Sequence, residues 1–380
     1  MVGLDNVRPG WIADRDIFHK GMLLVAAGVE VTPGILQSLK NRGISEVEIQ
    51  ADSELADYSA RPRDADPLAD LLLMSKVIYR KHNLQLAIPE EVLEEATDQM
   101  ESFFTEIELG QALDADEARS TVRRMVKLFT ERSHMAVKLL DIDRFDRYTY
   151  RHSLNVGLLF LVLGSTWAED DEHLEDMAFG AVLHDLGKAR VGPAVINKPG
   201  ALDDEEWALM RQHTVWSEEM LEDSGGDTAA RAIARSHHER LDGSGYPDRL
   251  QGNDIDVHAR AAAICDVYDA LTSKRSYKQK MDFAKAIDII IRGSGVHFDP
   301  DLVHMFIRKV GRYPAGSFVR LSTGEVAVVL RVNESAISRP VVSRVLNVDG
   351  ESREYPEELD LSERMDIFVT GVVGAERMES

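Results

Sequence analysis

Through the middle of the chain, apolar side chains recur three and four residues apart, and nowhere between 150 and 310 does a period of two persist. This spacing predicts helices near 152–167, 173–187, 204–222, 228–239, 257–274, 282–293 and 301–310, which together make an all-helical domain. A helical period also begins at Leu68, Leu71, Leu72, Val77 and Ile78, and acidic amphipathic helices are expected to continue through 128–139. Both ends of the chain follow another pattern. Residues 21–50 read as short strands, Met22 to Val25 and Val47 to Gln50, around a helix that starts after Thr32 with Pro33 in first position and stops at Gly43. After Pro314, the runs Phe318 to Ser322 and Glu325 to Val332 alternate around Thr323-Gly324, which predicts a hairpin. Val341 to Val348 followed by Asp349-Gly350 predicts one more strand and turn. Residues 52–66 carry Asp, Ser, Ala, Arg and Pro without an apolar period and read as an exposed linker. The expected class is mainly α, with a small N-terminal α/β domain and a C-terminal β appendage.

Composition narrows what such a chain can do. With 380 residues, 44% of them hydrophobic, a sizeable core is available. A formal charge of −22 argues against general binding to duplex nucleic acid or to an anionic membrane surface, so any phosphate ligand needs a local positive site. The longest apolar run, Val156 to Gly164, falls far short of the roughly 20 residues of a membrane-spanning helix. No basic and apolar leader opens the sequence, and the single cysteine, Cys265, forbids an internal disulfide; a cytoplasmic location is the expectation. Cys265 itself reads as a small buried apolar residue.

Candidate chemistry is concentrated between 152 and 266. His184-Asp185, His213, the doublet His237-His238 and Asp266 supply imidazoles and carboxylates of the kind that hold borderline transition metals, and His152, opening an apolar helix, offers another imidazole. His184-Asp185 is expected on a helix running from Leu174 to Lys188, which places Lys188 on the same face as Asp185. A protonated amine there is a phosphate contact rather than a ligand. Such a set points to metal-assisted hydrolysis in which two cations activate a bridging hydroxide. No Ser or Cys nucleophile with a base is evident. Asp242-Gly243-Ser244-Gly245-Tyr246-Pro247 follows the His doublet; its glycines permit φ > 0 and Pro247 stiffens the exit, so Tyr246 is held in one pose, outward or toward the site. Asp203-Asp204-Glu205-Glu206 reads as a helix start.

Four phrases, Tyr148-Thr-Tyr-Arg-His-Ser-Leu-Asn-Val, His184-Asp-Leu-Gly-Lys, His237-His-Glu-Arg-Leu-Asp-Gly-Ser-Gly-Tyr-Pro and Asp266-Val-Tyr-Asp-Ala-Leu-Thr-Ser-Lys-Arg-Ser-Tyr-Lys, resemble the HD-GYP subgroup of the HD metal-dependent phosphohydrolases. The resemblance covers about 125–312, and implies an HD-type helical domain there, with 1–60 as the N-terminal domain often attached to it, 61–124 a helical linker region and 313–380 the β extension. It implies hydrolysis of cyclic di-GMP to pGpG and in some members on to GMP, with cyclic GMP-AMP left open as a further substrate. Carried over as metal ligands are His152, His184, Asp185, His213, His237, His238 and Asp266, Asp185 bridging; Lys188, Arg275 and Lys278 match phosphate-binding positions. The metals implied are iron or manganese. Relatives with three metals have a glutamate where this chain has Tyr148, which argues for two here. The Gly245-Tyr246-Pro247 loop is associated in the family either with substrate contact or with docking of diguanylate cyclase domains, and a homodimer is compatible. Two competing readings remain: a weakly active module that binds a cyclic dinucleotide or a cyclase, and a mixed-valence di-iron oxygenase, which the lysines and arginine disfavour.

Overall fold

The computed structural model describes residues 2–4, 7, 12–13, 17–19, 22–25, 31, 33–47, 49–50, 78–79, 82, 87–132, 148–198, 200–273, 281–351, 353 and 357–373. The expected linker at 52–66 and the apolar period beginning at Leu68 lie outside them, as does most of the stretch expected to be helical after 131. Two compact units form, 1–83 and 84–380.

In the first unit, short antiparallel pairs join β1 (Val2–Gly3) to β5 (Glu46–Val47), β2 (Ile12–Ala13) to β6 (Ile49–Gln50), and β3 (Ile17–His19) to β4 (Met22–Val25). Helix α1 (Pro33–Asn41) lies between β4 and β5 in the chain and ends before Gly43, whose φ of 69° is the left-handed turn that stops a helix cheaply only at glycine. Leu4, Ile17, Val25, Val31, Leu39 and Val47 close a small core. The sequence-based α/β expectation holds.

Among its described residues up to 310, the second unit is helical: α2 (Glu90–Glu108), α3 (Ala115–Glu131), α4 (Tyr148–Gly164), α5 (Asp171–Leu183), the single turns α6 (Lys188–Val191) and α7 (Pro193–Ile196), α8 (Asp204–Asp223), α9 (Thr228–Ser236), α10 (Val257–Thr272), α11 (Phe283–Gly293) and α12 (Pro300–Val310). Aspartates cap most of them: Asp170, Asp227 and Asp299 each accept from an amide two or three residues on, and Asp203 with Glu206 forms a full capping box, so that acidic run is indeed a helix start. Helices α4, α5 and α10 are apolar nearly all round because they are core helices, whereas α9, α11 and α12 show one buried stripe. Helix α5 packs on α4 and α9, α9 also on α8 and α10, and α10 back on α4. This ring brings the histidine-bearing helices together.

Two close approaches make the ring tight. A Cβ on Gly180 would meet the Ala230 Cα at 2.5 Å, so α5 and α9 touch backbone to backbone, one turn before His184 and two turns before His237. A Cβ on Gly187 would meet the His213 carbonyl oxygen at 2.1 Å, so the chain leaving α5 lies against α8. Beyond α12, strands β7 (Phe318–Leu321), β8 (Val326–Arg331), β9 (Val341–Leu346), β10 (Glu358–Asp360) and β11 (Val369–Val372) form one antiparallel sheet in the order β10-β9-β8-β7-β11. The β7–β8 hairpin turns at Gly324, φ 88°, as the alternation predicted.

Candidate metal centre

His184 and Asp185 are not inside a helix. Helix α5 ends at Leu183, and the amides of Leu186, Lys188, Ala189 and Arg190 bond three residues back, a tighter winding than the α-helix expected through Lys188. The tightening lets Gly187 slide past α8, and its amide donates to Ser217 Oγ at 2.8 Å. His237 and His238 likewise stand just past the end of α9. His152 is on α4, His213 on α8 and Asp266 on α10.

Three imidazoles use one device. The Nδ1 of His184 lies 2.8 Å from the Ala181 carbonyl, that of His213 2.6 Å from Met210 and that of His237 3.0 Å from Ala234, each three residues upstream. A carbonyl can only accept, so each Nδ1 donates its proton there and each ring turns its Nε2 inward. His152 differs: its Nδ1 donates to the Asp269 carboxylate at 2.7 Å, and Asp269 also accepts from Asn155 Nδ2 and Ser273 Oγ. Sequence reasoning passed over Asp269; its one signal was a place one helical turn beyond Asp266.

All of these converge on Asp185, 1% exposed. Its Oδ1 lies 3.3 Å from His213 Nε2 and 3.8 Å from His237 Nε2; its Oδ2 lies 3.4 Å from His184 Nε2 and 3.6 Å from His152 Nε2, with Lys188 Nζ in contact. Asp266 faces His152 Nε2 at 3.2 Å and His238 Nδ1 at 3.7 Å. Two sets have ligand atoms close enough to share an ion: Asp185 with His213, His237 and His238, and Asp185 with His152 and His184. Asp185 belongs to both, one oxygen toward each side. Asp266 contacts one member of each.

The charges fit such a role. Burial works to raise the pKa of Asp185, but Lys188 and His184 hold it well below the usual range, so it is a carboxylate. Asp266 is held down against burial chiefly by its contact with His152. Burial, with His238 and His184 beside it, pushes His237 well below its ordinary value, and burial takes His238 down to about 3 against the pull of Asp266. His152 goes the other way: burial lowers it, but the bonds to Asp266 and Asp269 prevail and lift it to about 9.

Among the described residues, the Nε2 atoms of His184, His213 and His237 and the Oδ1 of Asp185 are buried without a hydrogen-bond partner. Buried polar groups are nearly always satisfied, so leaving these four atoms without a partner is costly. A divalent cation between them removes the cost at a stroke, so the donor set fits a metal.

The Asp242–Pro247 loop folds over this cluster. Tyr246 stacks on His238, ring centroids 4.7 Å apart and planes 30° apart, so its pose faces the site. Only Gly243 uses a positive φ, 75°; Gly245 is needed for space, since a Cβ there would meet the Glu239 Cα at 2.4 Å. Buried Glu239 ties the loop down, accepting from the amides of Asp248 and Arg249. Arg275 and Lys278 lie outside the described residues, as does the side chain of Tyr148. Cys265 is fully buried, and burial raises its thiol pKa, as an inert core position requires.

Residues 128–302 match the HD domain, and residues 318–380 match a KOW domain associated with HD domains. A cyclic di-GMP phosphodiesterase of Pseudomonas aeruginosa is 33% identical over 339 residues, spanning 87% of this chain and 79% of the relative. The chain belongs to the HD-GYP family. Shorter matches link this HD-GYP chain to a cyclic di-GMP phosphodiesterase of Vibrio cholerae, 42% identical over 36% of this chain and 29% of that protein. A 3'3'-cGAMP-specific phosphodiesterase of the same organism is 36% identical over 44% and 32%. No helix among the described residues is long and apolar enough to cross a membrane.

Proposed function

We propose that this HD-GYP protein is a metal-dependent phosphodiesterase that opens cyclic di-GMP to linear pGpG, and on to GMP when the second bond is cut. The catalytic part in this reading is 125–312, flanked by 1–60, 61–124 and 313–380. The observation that carries it is the set of unpartnered ring nitrogens meeting at both oxygens of one buried carboxylate. Two cations sharing Asp185, with His152, His184, His213, His237, His238 and Asp266 around them, would acidify a shared water and offset the charge of the phosphodiester. A nitrogen-rich donor set suits iron better than magnesium, and manganese, which takes the two carboxylates readily, is the alternative.

The chain's own groups supply the rest. Lys188, a fifth exposed beside Asp185, presents an ammonium to a phosphate oxygen. Tyr246 closes one wall with its phenol kept protonated, because burial and then Asp185 and Asp266 raise its pKa. Arg275 and Lys278 are proposed as further phosphate contacts. In hydrolysis the water oxygen bonds to phosphorus, the bond from phosphorus to the sugar oxygen breaks, and that oxygen takes a proton; one bond at a time gives the linear product first.

The test is a product assay on the purified protein, prepared anaerobically and loaded with iron, with manganese or treated with chelator. Cyclic di-GMP and cyclic GMP-AMP are the substrates, and metal content is measured in parallel. Turnover of cyclic di-GMP that follows metal content is expected. Full turnover by the chelated protein, or none by a protein holding two metals per chain, refutes the proposal.

A further inference from the structure

A line of rings leads out of the metal centre. Tyr246 lies on His238 and also faces His213, at 6.4 Å between centroids. Beyond it, the Arg211 guanidinium carbon sits 5.7 Å from the Tyr246 ring and 5.9 Å from that of Trp207, one helical turn earlier on α8. Trp207 is 43% exposed.

Two facts about this ledge are unusual for a structural surface. The chain has 66 acidic residues against 44 basic, and several cations of this helical unit are paired, Arg190 with Glu219, Lys198 with Glu206, Arg231 with Glu222 and Arg235 with Glu218, although Arg240, whose charge also reaches Tyr246, has no such pair among the described residues. Arg211 has no carboxylate partner among the described residues, and its guanidinium faces the two aromatic rings. A large indole left half open beside such a guanidinium, joined through Tyr246 to the histidine cluster, is a surface made to be covered.

We propose that Trp207 and Arg211 form the base-binding subsite of the enzyme, taking a guanine of the substrate. This rests on the cyclic-dinucleotide reading above. A base stacks on an exposed aromatic face whatever its identity, so Trp207 supplies attachment. Guanine, unlike adenine, offers two acceptors, O6 and N7, on one edge, the pattern that an arginine fork bonds in pairs, so Arg211 supplies the choice of guanine over adenine. Tyr246 then links the subsite to the metals, the ribose and phosphate reaching past it. The ledge lies on the wall that carries His213, so a seated base fixes which phosphodiester faces Asp185.

Trp207 fluorescence reads this without turnover. Cyclic di-GMP added to the metal-free protein is expected to quench emission saturably in the wild type and not in Trp207→Phe, which keeps the three other tryptophans. GMP should quench at lower concentration than AMP, and Arg211→Gln should erase that preference. In the metal-loaded enzyme, Trp207→Ala should raise KM roughly tenfold, the weight of one stacked base, while kcat falls much less. Equal quenching in wild type and Trp207→Phe overturns the subsite, and an equal response to GMP and AMP overturns the role of Arg211. If quenching behaves as expected but no cyclic dinucleotide is cleaved, the subsite stands and the hydrolytic reading fails; cleavage with KM unmoved in Trp207→Ala is the reverse.

Discussion

Replacing Gly187 with alanine isolates what one methyl group does to the centre. Gly187 has φ −61°, open to any residue, so only space forbids a side chain. The added Cβ would lie 2.1 Å from the His213 carbonyl oxygen, 2.8 Å from the Ser217 amide nitrogen and 3.0 Å from the His213 carbonyl carbon. Ordinary contact begins near 3.4 Å, so α8 and the turn must separate by about 1 Å. All three atoms are backbone, which no rotamer change can move. His213 travels with α8, and metal–ligand distances tolerate about ±0.2 Å, so His213 leaves the set. Overpacking of this kind costs about 2 kcal/mol, a fall of roughly 3 °C in Tm for a unit of this size. A misplacement near 1 Å costs on the order of 100-fold in turnover. The assay is elemental analysis and kinetics on Gly187→Ala beside the wild type, with a thermal melt. A variant with two metals per chain, an unshifted Tm and normal turnover would refute the packing argument.

Three further outcomes follow from the site. Asp185→Ala, which removes the shared carboxylate, should lose metal and turnover together while circular dichroism stays native; retained metal with lost activity would separate the two roles. Asp269→Asn exchanges a carboxylate for an amide beside His152 Nδ1, and should lower metal content toward one per chain with the His213, His237 and His238 side still loaded. Content unchanged from wild type would show that Asp269 does not position His152. The third concerns pH. His152 has a folded pKa near 9, above its unfolded 6.5, so its stabilisation of the metal-free protein is complete below about pH 6.5 and is lost as pH rises through about 9. A cation at its Nε2 must displace that proton, so metal affinity should climb over the same interval, and calorimetry at pH 7.5 in two buffers should show about one proton released. Identical heats in both buffers would sink this assignment.

Much of this was legible in the sequence because helical period and ligand chemistry are local signals. The run Leu154 to Leu163 announces a core helix, and adjacent His and Asp announce a ligand pair, before any contact is known. What escaped was set by distance in space. Nothing local tells that α5 must stop at Leu183 rather than Lys188; the stop is imposed by α8 pressing on Gly187. Gly245 reads like a turn residue, yet its need is for room beside Glu239 rather than for positive φ. Asp269 looks like one more acid on a helix until α4 brings His152 against it, 117 positions earlier in the chain.

Three of the imidazoles are steadied by peptide oxygens, which survive every possible exchange of side chain at 181, 210 or 234. His152 leans on a single removable acid. Genetic drift can therefore wear at the centre unevenly: the rings of His184, His213 and His237 are insured by the polypeptide itself, while that of His152 stands or falls with one codon.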